Sequence, residues 1–111
     1  MHRVRVEELP FRGMSHNFVG AEQGDVGISA YLVNAPTGSG PRLHRHPYDK
    51  VVFIQKGRAR WRVAGDEVEL GPGEILVVKA GEPHAFVSVG EEPLVQLDIH
   101  TSSRFEQEWL E

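Results

Sequence analysis

The chain has no cysteine, which removes both disulfides and thiolate metal sites from consideration. It has no uninterrupted apolar run near the roughly 20 residues a membrane-spanning helix needs, so no membrane partner is expected. The segment Met1 to Gly13 interleaves Arg3, Arg5, Glu7 and Glu8 with single apolar residues. It therefore lacks the apolar stretch of a signal peptide, and a cytoplasmic location is expected. There is no run of Lys or Arg, and the net charge is -4, so nothing attracts a phosphate backbone and no nucleic-acid partner is expected. Before the last ten residues no segment keeps a 3.6-residue apolar period, which excludes amphipathic helices from most of the chain.

What is present is punctuation. Twelve glycines and seven prolines separate short apolar runs along 111 residues, the pattern of an all-β domain spanning residues 1–111. Val4 and Val6 suggest a first strand ending at Pro10, and Ser15 to Val19 a second. Val26 to Val33 reads as a longer strand, and Val51 to Gln55 as a strand covered on both faces. Ala59, Trp61 and Val63 alternate with Arg60 and Arg62, one face buried and the other wet. Ala64-Gly65 closes a hairpin. His84, Phe86 and Ser88 share one face of a later strand. In Leu94 to His100, Val95, Leu97 and Ile99 look like the core face, leaving Gln96, Asp98 and His100 for a surface or a dimer seam. The other register has these polar residues lining the interior, with Asp98 paired to Lys50 and His100 a further ligand. Ser103 and Glu106 stand in capping-box register, which predicts a short helix over 103–110 with Phe105, Trp109 and Leu110 as its apolar stripe.

One stretch carries chemistry. In His44-Arg45-His46 an extended backbone sends both imidazoles to the same face, roughly 6 to 7 Å apart, where they can grip one metal ion. By the same parity Lys50 shares their face, while Arg45 and Asp49 point away.

These residues carry a resemblance. Gly38, His44, His46, position 50 and Gly57 stand at the spacings of G(X)5HXH(X)3-4E(X)6G, and Gly73, position 79, Gly81, His84 and position 88 at those of G(X)5PXG(X)2H(X)3N. The chain resembles the small cupins over about residues 26–100. The resemblance implies a double-stranded β-helix, a jelly-roll barrel often paired into homodimers. It also implies one divalent metal (Fe, Mn, Ni, Zn or Cu) held inside by the two histidines of the first motif, its glutamate, and His84 of the second.

The sequence departs from that pattern at Lys79, Ser88 and, above all, Lys50, which stands in the glutamate's place. A carboxylate brings negative charge toward a dication, whereas an ammonium brings positive charge and no lone pair. Three readings stand open. His44, His46 and His84 bind the metal without a carboxylate, for an oxygenase or isomerase acting on a small molecule. Alternatively the barrel is metal-free and binds an acidic or sugar-like ligand through Lys50, with Phe86, Ser88 and Arg42 in the pocket. In the third, a desolvated Lys50 acts as base or Schiff-base nucleophile.

Overall fold

The computed structural model describes residues 1–111 as eleven short strands and one 3-10 turn, Val6–Glu8. The strands are β1 (Phe11–Arg12), β2 (Ser15–Phe18), β3 (Ser29–Ala35), β4 (His44–Arg45), β5 (Lys50–Lys56), β6 (Ala59–Val63), β7 (Asp66–Leu70), β8 (Ile75–Val78), β9 (His84–Ser88), β10 (Leu94–His100) and β11 (Glu108–Trp109). They form a six-stranded sheet in the order β1-β2-β3-β10-β5-β8 and a five-stranded sheet in the order β11-β4-β9-β6-β7. Every pairing is antiparallel. The all-β jelly-roll expectation holds. No helix is long and apolar enough to cross a membrane.

The core draws on both sheets. Val33, Val52, Ile54 and Leu94 of one meet Ala59, Trp61, Leu70 and Phe86 of the other, so the inward faces bury each other's apolar area. Trp61 is fully buried while Arg60 and Arg62 are exposed, as the alternation along β6 requires. That strand turns into β7 through Ala64 (φ 50°) and Gly65 (φ 88°), two positive-φ residues, as the commonest tight hairpin demands. Gly40 lies so flat on β9 that an added Cβ would sit 1.8 Å from the Phe86 carbonyl oxygen. Only glycine lets this loop hug the sheet on its way to His44.

Five expectations are corrected. No strand forms around Val4 and Val6. The chain makes a 3-10 turn at Val6–Glu8, closed by the Leu9 N–H on the Val6 carbonyl, and Val6 is exposed. The third strand starts at Ser29 rather than Val26, because Gly24 and Asp25 (φ 54°) turn the chain and leave Val26 and Ile28 outside. β5 is not covered on both faces: Lys50, Val52 and Ile54 point in, while Phe53 points out with Ile75 and Val77 of β8.

The fourth correction concerns β10, whose polar face is the inner one. Gln96, Asp98 and His100 are no more than 1% exposed, and Val95, Leu97 and Ile99 are only half-buried on the outer side. The fifth is the C-terminal helix, which does not form. Glu108–Trp109 instead pairs with β4, placing Glu108 opposite Arg45 and Trp109 opposite His44. A helix of eight residues is marginal on its own. Here the segment gains a Phe105–Tyr31 stack at 4.2 Å, an Arg45–Glu108 ion pair at 2.9 Å and ring contact between Trp109 and His44 at 5.1 Å.

Candidate functional site

β4 and β9 place the first two histidines directly opposite each other, His44 against His84 in register. His46 follows β4 on the same face, with Arg45 outward between them. Ring centroids lie 4.9 Å apart for His44–His46, 4.4 Å for His44–His84 and 5.0 Å for His46–His84. One ring nitrogen of each lies within 4.8 Å of the other two, and all three residues are buried.

Each imidazole is fixed by its Nδ1. In His44 it meets the Arg42 carbonyl at 2.7 Å, in His84 the Glu82 carbonyl at 2.9 Å, and in His46 the Glu106 carbonyl at 2.8 Å. A carbonyl can only accept, so Nδ1 carries the proton and the Nε2 lone pair is left for another partner. The Nε2 atoms of His46 and His84 are buried without one. Burial, followed by the Lys50 charge, lowers the His84 pKa to about 3. Burial lowers His46 to about 4, with Lys50 adding to the effect, and pushes His44 down as well. The three rings are therefore neutral near pH 7, the form that coordinates a metal.

Lys50 lies inside, as its parity with His44 and His46 requires, and is 2% exposed. Its Nζ stands 3.4 Å from Asp98 Oδ2 and 5.2 Å from the Trp61 ring centroid. Burial pushes the lysine down and the aspartic acid up, and their mutual attraction opposes both shifts. Taken together the pair adds no net charge. Lys50 is also the cross-strand neighbour of His100, a fourth buried imidazole 4.7 Å from His46. His100 Nδ1 lies 2.6 Å from the Tyr48 hydroxyl, and its Nε2 has no partner.

A pouch of about 270 Å³ opens beside His44, Lys50 and Asp98, walled by Phe86 and Trp109 and rimmed by Arg12. Phe86 therefore lies where the sequence places it. Ser88 is buried, with its hydroxyl unpartnered, but does not line this pouch. Arg42 lies outside, its guanidinium 5.3 Å from the Trp109 ring, along a surface cleft with Arg60 and Arg62. Gln96 accepts from Trp61 Nε1 at 3.4 Å, and its amide nitrogen is free.

Several residues at the site escaped sequence reasoning. Tyr48 stacks on His46 at 5.0 Å and holds His100. It is in phase with His44, His46 and Lys50, a signal the alternation offered. Glu106 and Trp109 approach from the far end of the chain, and no local pattern announces them. Arg12 and Asn17 reach the pouch only through the β1–β2–β3 pairing.

Comparison with known proteins bears on this geometry. The cupin domain model matches residues 31–100. The dimethylsulfoniopropionate lyase DddQ of Ruegeria pomeroyi is 36% identical over 59 residues, covering 52% of this chain and 29% of that protein. A Bacillus subtilis oxalate decarboxylase with Mn(II) centres superposes with TM-score 0.83 at 23% identity, over 96% of this chain and 31% of that one. An oxalate oxidase gives TM-score 0.76 at 18% identity, over 86% and 54%. The chain thus spans well under two thirds of each relative, and the two structural likenesses establish the fold.

Proposed function

The chain belongs to the cupin family, and from that premise we propose that His44, His46 and His84 hold one divalent transition metal through Nε2, beside a pouch that takes a small-molecule ligand or substrate. The observation that carries this is the common set of the three rings. Each is pinned at Nδ1 by a backbone carbonyl, and they gather their free nitrogens within 4.8 Å. Backbone acceptors behind the ligands are how proteins orient imidazoles toward a metal. Unpartnered buried nitrogens are otherwise costly, at about 1 to 3 kcal/mol each.

Lys50 is compatible with this reading because Asp98 answers its charge. The ammonium stands 3.4 Å from the carboxylate and 5.2 Å from the Trp61 ring, so the pair as a whole is neutral, although the ammonium is still felt at the imidazoles. Neutral imidazoles suit Fe, Ni, Zn or Cu, and the Mn(II) of the decarboxylase adds that ion to those to try. A bound dication supplies Lewis acidity, which suits oxygenase or isomerase chemistry. The chain's own residues shape the pouch, wall it with Phe86 and Trp109, and keep the imidazoles unprotonated.

Calorimetric titration of the metal-stripped protein with each ion tests the proposal. At least one ion should bind at one per chain, and His84→Ala should weaken it by more than about tenfold. Binding of none, or equal binding by His84→Ala, overturns it. A metal-free binding module is the second reading, favoured by the cationic Arg12 at the pouch rim. In that case ligand affinity survives removal of the ion.

The partner surface follows from the outer face of the six-stranded sheet. Phe53, Ile75 and Val77 are exposed side by side there, and we propose that a second copy covers them in a homodimer. Sedimentation of Ile75→Lys should give monomer where the parent chain gives dimer, and a monomeric parent refutes the pairing.

A further inference from the structure

Metal ligation accounts for the free nitrogens of His46 and His84 but not for a carboxylate oxygen in the same interior. Asp98 Oδ2 is taken by Lys50, while Oδ1 is buried without any hydrogen-bond partner. The Gln96 amide on the same strand face steadies the Asp98 charge, yet its nitrogen meets neither carboxylate oxygen in full hydrogen-bond geometry. An ionised carboxylate accepts and never donates. Whatever fills the pouch beside Asp98 must therefore bring an N–H or O–H to it, or leave the oxygen bare.

A second constraint comes from the rim. Arg12 is exposed, lines the same pouch and makes no ion pair, so it is free to take an anionic group bidentately. The Asn17 amide and the Tyr31 phenol line the same pouch, the phenol with a pKa pushed up to about 12 first by burial and then by the Asp98 charge. Tyr31 therefore remains a hydrogen-bond donor. At about 270 Å³ the space suits a compact molecule rather than a nucleotide or an oligosaccharide.

We propose that the ligand of this pouch is a small hydroxycarboxylate, its hydroxyl donating to Asp98 Oδ1 and its carboxylate directed to Arg12. This rests on the same site as the proposed function but not on the metal. Asp98 is then the specificity-determining residue. A site built to pair with a substrate hydroxyl rejects an analogue that lacks it, because the buried acceptor is left unmatched.

The test is calorimetric titration of glycolate and lactate against acetate, propanoate and 1,2-propanediol, on both metal-loaded and metal-stripped protein. The hydroxy acids should bind roughly tenfold or more tighter than the acids without the hydroxyl. Arg12→Ala, on the surface, should abolish the preference for lactate over the diol. Lys50→Met/Asp98→Leu, which replaces the buried pair by apolar groups, should abolish the preference for lactate over propanoate. Equal affinity for lactate and propanoate, or no binding of either, overturns the proposal even where the metal titration succeeds. Discrimination that persists in protein that takes up no metal sustains it and removes the metal reading instead.

Discussion

Two polar groups share one interior and are satisfied in opposite ways. The three histidines of β4 and β9 are anchored from behind by carbonyls, and His46 and His84 are left bare in front. Lys50 and Asp98, on β5 and β10, spend their charge on each other. The first arrangement gathers three neutral imidazoles in one place. The second neutralises the lysine as a pair, although its ammonium still lowers the pKa of the neighbouring imidazoles. Comparing them shows how the exchange of a carboxylate for a lysine is absorbed: Asp98 lies on the neighbouring strand, directly across from Val52 and two positions from His100. The negative charge stands one strand over from position 50.

Breaking the pair should have the largest effect. Asp98→Ala strands a buried ammonium and should cost about 3 to 5 kcal/mol in urea unfolding, whereas Lys50→Met/Asp98→Leu should come close to the parent stability or exceed it. An unaffected Asp98→Ala protein would show that Lys50 does not hold its charge there. Acid should then separate the histidines from the pair. Their folded pKa values, about 4 for His46 and about 3 for His84, lie below the ordinary 6.5. As pH falls below 6.5 the unfolded chain takes up protons first. The contribution of these residues is fully present above that value and is lost on descending toward 4. Denaturant midpoints of metal-free protein should be flat from pH 7 to 8 and fall between about 6.5 and 4. A midpoint independent of pH in that window contradicts neutral burial.

Next comes the restored carboxylate. Lys50→Glu alone sets a second carboxylate beside Asp98, so its gain in metal affinity should be small. Lys50→Glu/Asp98→Asn should bind the ion about tenfold more tightly than the parent. Equal affinity in the double variant would mean that position 50 does not face the ion. The smallest effect belongs to Tyr48→Phe, which removes one hydroxyl from His100 and should cost about 1 kcal/mol in unfolding free energy.

Much of this site was legible because strand parity is a strong local rule. His44, His46 and Lys50 were placed on one face by counting, and His84 by the spacing of its motif. β10 was misread because its outer residues Val95, Leu97 and Ile99 mimic a core face. Periodicity locates two faces but does not say which one meets the opposite sheet. The terminal segment was misread for a different reason. Its capping signals were local, while the contacts that decide its conformation, Phe105 on Tyr31 and Trp109 on His44, join residues more than sixty positions apart. Tyr48 and the Asp98 oxygen show the same limit: alternation sets the direction of a side chain, and tertiary pairing sets its partner.

The central claim is the three-histidine metal site. Anomalous scattering from crystals loaded with the tightest-binding ion tests it most directly. The account predicts one peak per chain, at roughly 2.0 to 2.2 Å from Nε2 of His44, His46 and His84, with Lys50 Nζ turned toward Asp98. No peak, or a peak away from those nitrogens, would contradict it.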